Sequence, residues 1–253
     1  MSPSKFFRTL RRAASQAKHA SLSRVGSGQK FTCPSCNRTV SGFVFFSYRP
    51  CHCPFCHSTP RERFVGFALR EGLVPAIRKG ERILHIAPGE RSLVRLFRQR
   101  GEYIAADIDP SRYRDLEAIE LDLTEMAFDN TFDRIYASHV LEHILDDRLV
   151  MKKIFEHLSP SGIAMFLVPL RGATTEEGGP NLSANERLTR FGQHDHVRQY
   201  GMDIVARLSA AGVNVEVVDA GDLEPAVIEQ HGFETHGYSG APETDKIFLC
   251  RLR

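Results

Sequence analysis

Between Glu81 and Leu145 short apolar runs alternate with polar or small-residue clusters, in the segments ERILHIAPGE, EYIAADIDP, AIELDL and FDRIYASHVLEHI. Short, near-continuous apolar runs separated by helical-looking sequence predict buried parallel strands joined by crossover helices. The first strand is expected over Ile83–Ala87, the second ends at Asp107, the third at Asp122 with Leu123, and the fourth covers Phe132–Ala137. Downstream, Asp146–Leu158 predicts a helix closed by Ser159-Pro160-Ser161-Gly162, and Ile163–Val168 a fifth strand ending in Pro169. Leu170–Asn185 is rich in Gly, Thr and Glu, and so long a loop in a compact domain is expected to be a lid, a binding element or disordered. A helix over Met202–Ala211, a sixth strand over Val213–Val218 and a seventh over Lys246–Arg251 complete an α/β pattern. Upstream, Arg61–Glu71 reads as an amphipathic helix with Phe64, Phe67, Ala68, Leu69 and Leu73 as its apolar stripe, ended by Gly72 and Pro75.

In an open α/β sheet ligands bind outside the carboxyl ends of the strands, which is where the polar clusters fall. The order of a Pro88-Gly89 turn, then Asp107, then Asp122, then SHVLEH resembles the class I S-adenosylmethionine-dependent methyltransferases, and the likeness extends from about residue 60 to the C-terminus. It implies a seven-stranded, doubly wound, Rossmann-like sheet with its last strand antiparallel, and S-adenosylmethionine as the cofactor. Most of that family carries an acidic residue and several glycines in the first motif. Here His85 stands near the acidic position and Gly89 alone remains, as in a bacterial subgroup with a HxAP-type turn. The resemblance assigns His85, Ala87, Pro88 and Gly89 to the methionine end of the cofactor. It gives Asp107 the ribose hydroxyls and Asp122 the adenine amino group, with Leu123 on the adenine ring and Ser138 and His139 at the sulfonium. Asp109 reads as a turn residue before Pro110. His139 and His143, four residues apart, have a spacing that suits a metal, although packing or cofactor contact is the expected role.

RLTRFGQHDHVRQYG, Arg187–Gly201, gathers histidines, an aspartate, arginines and aromatics into one short segment. In the resembling subgroup a FGQxDHVRxYG-like segment follows the fifth strand. His194, Asp195, His196 and Arg198 are accordingly the candidate catalytic and acceptor-contacting residues. A histidine can act as a base near neutral pH and an arginine suits a carboxylate or phosphate. An internally bonded loop, with Asp195 paired to Arg198, is the bland alternative.

Five of the six cysteines lie between residues 33 and 56. Cys33-Pro-Ser-Cys36 and Cys53-Pro-Phe-Cys56 have zinc-ribbon spacing, two knuckles that present four thiolates to one ion. Four protein ligands leave no open position, so the zinc is expected to be structural; Cys51, His52 and His57 are spare. Val40–Tyr48 reads as ribbon strands that need the metal to hold together. The expected organisation is a basic leader over 1–30, the ribbon over 31–60 and the methyltransferase domain over 61–253.

Composition narrows the function. The 253 residues, 42% hydrophobic and 25% charged, describe an ordinary globular protein. No apolar run reaches the length of a membrane span, and without a secretory segment a cytoplasmic location is expected. The net charge of +2 hides an asymmetry: residues 1–30 hold seven basic and no acidic residues, leaving 26 basic against 31 acidic. That leader has the composition of a transit peptide, an amphipathic lipid- or RNA-contacting helix, or a solvated terminus. The mildly acidic body argues against a large nucleic-acid footprint. Methylation of a small-molecule acceptor, possibly anionic and on oxygen, is therefore the leading expectation. The alternatives are a ribosomal or transfer RNA methyltransferase with a ribbon that touches RNA, and a non-catalytic protein that kept the fold.

Overall fold

The computed structural model describes residues 30–46, 49–236 and 242–253. The basic leader and Tyr48 lie outside them. Two compact units are present: one runs to Glu71 and includes Glu90–Leu93 and Ala220–Asp245, and the other holds Gly72–Gly89, Val94–Asp219 and Lys246–Arg253.

The second unit is built on a seven-stranded sheet. Its strands are β1 (Arg82–Ile86), β2 (Glu102–Asp107), β3 (Ala118–Glu120), β4 (Phe132–Ser138), β5 (Leu158–Leu167), β6 (Val213–Asp219) and β7 (Lys246–Leu252). The spatial order is β6-β7-β5-β4-β1-β2-β3. β3 through β5 pair in parallel, and β7 enters antiparallel between β5 and β6. This is the sheet implied by the family resemblance. The central strands are buried almost without interruption, as strands covered on both faces must be. Leu84, Ile86, Ala137 and Phe166 pack with Val150 and Ile154 of the helix over Asp147–Glu156 in one core.

Some elements differ from the sequence pattern for local reasons. Only about ten residues join β2 to β3, and a similar number join β3 to β4, fewer than a helical crossover needs. Both links are single 3₁₀ turns, Pro110–Arg112 and Leu123–Glu125, capped by Asp109 and Asp122. Ser159-Pro160-Ser161-Gly162 does not close a helix but belongs to β5, where a register irregularity against β4 absorbs it. The segment Leu170–Asn185 is not free-standing. Glu176–Glu177 pairs antiparallel with Arg198–Gln199, Leu170 bridges to Tyr200, and Ala184 opens a helix over Ala184–Phe191.

The first unit combines two hairpins, Phe31–Cys33 with Arg38–Val40 and Val44–Phe46 with Arg49–His52, with a helix over Pro60–Arg70. Thr59 and Glu62 form a capping box at that helix's start, and Pro60 is its first residue. Arg63, almost fully buried, donates to the carbonyls of Cys51, Ser58, His231 and Gly232 at 2.6–2.8 Å and lies 3.7 Å over the Phe43 ring. One guanidinium thus ties the hairpins to the helix over Pro225–His231. Among the described residues no helix is long and apolar enough to cross a membrane.

Candidate functional site

In the first unit the two knuckles are built alike. Asn37 N–H donates to the Cys33 carbonyl at 2.8 Å, and His57 N–H to the Cys53 carbonyl at 2.9 Å. Both residues are left-handed, at φ 55° and 59°, the turn that lets each pair of thiols converge. The Cys33 and Cys56 Sγ atoms are 3.6 Å apart and those of Cys36 and Cys53 3.8 Å. A tetrahedron with metal–sulfur bonds of about 2.3 Å has edges of about 3.8 Å. Thiol hydrogen bonds from Cys53 and Cys56 hold Cys33 far below the ordinary thiol range, and the same sharing pushes Cys53 up. Burial raises Cys36 to about 11. Among the described residues these four make one ligand cluster, which Cys51 does not join. The donor set fits a closed thiolate site.

In the second unit the expected cofactor residues cluster at the carboxyl ends of four parallel strands. Ala87, just after β1, has φ 51°, and His139, just after the neighbouring β4, has φ 54°. Left-handed non-glycine residues cost about 1–2 kcal/mol each and concentrate at ligand sites. Backbone bonds to Ala106 and Leu167, both 2.8 Å, hold them there. Ala87 thus takes the conformation that a glycine would ordinarily supply, so a glycine-poor turn still forms. Asp107, buried at the end of β2, accepts from Asp109 N–H at 2.8 Å and from the Tyr113 hydroxyl at 2.5 Å. Asp122 is exposed and accepts from the Thr124 hydroxyl at 2.7 Å and its N–H at 2.8 Å, bonds that hold its carboxyl below the usual range. Leu123 beside it is buried. Ser138 is buried with no hydrogen-bond partner for its Oγ among the described residues, an orphan that a polar ligand would satisfy.

His85 departs from its expected place. It has no exposed surface and its ring packs edge-on against Phe97, Tyr103 and Tyr136, with Nδ1 3.1 Å from the Tyr103 hydroxyl. It is a core histidine packed among aromatic rings.

The segment over 194–200 lies against the turn that follows β4. Val197 N–H donates to the Glu142 carbonyl at 2.8 Å. The Arg198 guanidinium donates to the carbonyls of Leu141 at 2.9 Å, Leu145 at 2.8 Å and Ile144, and to the Glu177 carboxylate at 3.0 Å. Asp147 lies 3.7 Å from it, and also accepts from the Tyr200 hydroxyl at 2.5 Å and from Arg207 at 2.8 Å. The expectation that Arg198 meets the acceptor is not met: its donors are turned into the fold, onto three backbone carbonyls and the Glu177 carboxylate. Arg198 is a positioning residue. Asp195 does not pair with Arg198 but with His143, Oδ2 to Nδ1 at 3.4 Å. His194 and Asp195 are exposed, while His196 is 2% exposed, its Nδ1 3.2 Å from the Phe191 carbonyl. Burial pushes the His196 imidazole down, so it is neutral at ordinary pH. The motif's two glycines are required: Gly192 caps the Ala184–Phe191 helix at φ 81°, and a Cβ on Gly201 would lie 2.4 Å from the Thr174 backbone.

Glu142, Asp147, Glu177, Tyr200 and Arg207 were not singled out in the sequence. Glu142 lies within SHVLEH and Tyr200 within the Arg187–Gly201 segment, but nothing in their spacing marks either for burial.

A family model described as a methyltransferase domain matches residues 61–238, and the chain belongs to that family. It is an S-adenosylmethionine-dependent methyltransferase. In solved structures the chain is similar to a SAM-dependent methyltransferase from Archaeoglobus fulgidus, with a TM-score of 0.51 and 14% identity over 75% of this chain and 93% of that one. It is also similar to phosphoethanolamine N-methyltransferase 2 of Haemonchus contortus, in complex with S-adenosylmethionine, with a TM-score of 0.49 and 13% identity over 74% of this chain and 52% of that one. At 14% identity the first of these likenesses shows the fold alone. No curated protein matches the chain in sequence.

Removing the guanidinium would take the side-chain donor from the Leu141, Ile144 and Leu145 carbonyls after β4, while Asp147 keeps Tyr200 and Arg207. Arg198→Ala should therefore lower stability by about 3 kcal/mol, measured as a shift in urea midpoint at unchanged slope. A variant as stable as the wild type, yet inactive, would return Arg198 to direct substrate contact.

Proposed function

We propose that this enzyme methylates a small-molecule acceptor, on oxygen, at the carboxyl ends of β1 to β4. The observation that carries the reading is the 2.8 Å bond from Val197 N–H to the Glu142 carbonyl. It fixes the His194–Val197 stretch beside the turn that bears Ser138 and His139, the residues assigned to the sulfonium end. S-adenosylmethionine, when bound, supplies an electrophilic methyl group. Inline displacement then asks the protein mainly for proximity and orientation.

In this reading the Ala87–Gly89 backbone holds the methionine end, and Asp107 accepts the ribose hydroxyls. An ionised carboxylate has about four acceptor sites, so its bonds to Tyr113 and Asp109 leave capacity for both. Asp122 takes the adenine amino group, with Leu123 under the ring. His194 and Asp195 face the acceptor from the exposed side of the segment and His196 from the buried side, while Arg198 holds all three in place. The catalytic domain spans 61–253, and the ribbon over 31–60 carries one structural zinc on Cys33, Cys36, Cys53 and Cys56. The excess of acid outside the leader favours a small molecule over RNA, and a cytoplasmic setting suits reduced thiols.

A labelled-methyl assay on cell extract, separated into small-molecule, RNA and protein fractions, tests the acceptor class. Label in the small-molecule fraction is expected, and label confined to RNA would replace this reading. Asp107→Ala should weaken S-adenosylmethionine binding by about 1.5–3 kcal/mol, roughly ten- to a hundred-fold in Kd; calorimetry showing unchanged affinity would remove the ribose role. Metal analysis should find one zinc equivalent lost in Cys33→Ser and retained in Cys51→Ser. The reverse result would reassign the ligands.

A further inference from the structure

Beside the four-cysteine cluster, the described residues contain a second group of metal-ligating side chains, and it holds no sulfur. Glu142, His143 and His196 each offer a ligand atom, and these atoms lie within 4.8 Å of one another. Glu142 is fully buried, and neither carboxylate oxygen has a hydrogen-bond partner among the described residues. Its Oε1 sits 3.2 Å from His139 Nδ1, an ion-pair contact that lacks hydrogen-bond geometry. His196 Nε2 is also buried and unpartnered. A buried carboxylate that has only the His139 contact, and a buried ring nitrogen with no hydrogen-bond partner, lie within 4.8 Å of each other and have capacity for a shared partner.

The outer bonds of the two histidines indicate what that partner is. His196 directs Nδ1 to the Phe191 carbonyl at 3.2 Å, which fixes the proton on that nitrogen and leaves a lone pair on Nε2. His143 Nδ1 makes an ion-pair contact with the Asp195 carboxylate at 3.4 Å. Histidines that ligate metals are held in this way, one nitrogen on a carbonyl or carboxylate and the other on the ion. The rings meet edge to face with centroids 4.7 Å apart, so their free nitrogens can converge without stacking.

We propose that Glu142, His143 and His196 bind a divalent transition-metal ion, oriented by Asp195 and the Phe191 carbonyl. Two imidazoles and one carboxylate suit zinc, manganese, iron or cobalt, whereas magnesium and calcium prefer all-oxygen sets. Three protein ligands leave coordination positions open for water or an oxygen ligand. The site is distinct in kind from the thiolate cluster, which is closed.

The probe is Co²⁺, titrated into the purified full-length chain with its ribbon metal retained and with neither cofactor nor acceptor added. One equivalent beyond the ribbon metal is expected, counting any ion already bound after purification, with ligand-field absorption and no thiolate charge-transfer band. Glu142→Gln and His196→Ala should abolish saturable uptake at this site. Asp195→Ala removes only an exposed outer partner, so it threatens folding least, and it should weaken uptake roughly 10-fold. His143→Ala, at a half-buried position, gives an independent ligand test should Glu142→Gln fail to fold. Absence of a second equivalent at millimolar Co²⁺, or undiminished uptake in both Asp195→Ala and His143→Ala, would overturn the proposal. Methyl transfer would be untouched by that failure, since the measurement needs neither cofactor nor acceptor.

Discussion

The arrangement of the catalytic unit depends on one buried guanidinium. The turn after β4 has no full helix to absorb its carbonyls, since it passes through a single 3₁₀ turn, Leu141–His143, before the Asp147–Glu156 helix begins. Backbone carbonyls left unpaired in the interior cost about 1–3 kcal/mol each. Arg198 donates to three carbonyls here, of which Leu141 also accepts from Ile144 N–H, and it meets Glu177 and Asp147 as well. Two segments far apart in sequence are thereby fixed to each other: SHVLEH at the end of a central strand, and QHDHVR after the fifth. The planar fork of arginine matters here, because an ammonium could not reach divergent carbonyls in one geometry. Asp147 and Glu177 also accept from Arg207, so the clamp is a network and not a single pair.

The strand-end positions show how a turn can form with fewer glycines than its relatives use. Ala87 and His139 occupy the left-handed region after adjacent strands. Their strain is tolerable because each N–H is bonded to a neighbouring strand, where the sheet determines the backbone more firmly than the local residue does. His85 follows from the same economy of space. One residue from the end of β1, its side chain points to the face covered by Phe97, Tyr103 and Tyr136. An acidic residue there would need a cation that this aromatic cluster does not offer.

Much of the fold was legible from hydrophobic runs alone. β1, β4, β5 and β7 are buried on both faces, and burial of that kind leaves continuous apolar sequence that a reader can find. What was less legible depended on partners distant in the chain. The segment after β5 reads as a loop because Glu176 and Glu177 show no strand pattern; their pairing with Arg198 and Gln199 exists only once the fold brings them together. The cysteine cluster was fully visible, since its ligands lie in two local knuckles. The Arg198 clamp was not, because FGQHDHVR presents several polar side chains, and the sequence does not say which of them face inward. His194 and Asp195 turned outward, His196 and Arg198 inward.

Glu142 brings these strands of argument to one point. A carboxylate with no exposed surface is costly to keep ionised, by several kcal/mol, unless charge or hydrogen bonds compensate it. Burial raises its carboxyl, yet contact with His139 outweighs that and holds it below the usual range, so Glu142 is an anion in the folded protein. Its own carbonyl accepts from Val197, and the nearby carbonyls of Leu141 and Ile144 accept from Arg198. The backbone of this turn is therefore well satisfied, while the side chain it positions is not. A turn held so rigidly does not leave its central anion under-paired through looseness. The rigidity delivers Glu142 to a fixed point beside His143 and His196, where a positive charge arriving from outside the chain would add to the compensation His139 already gives.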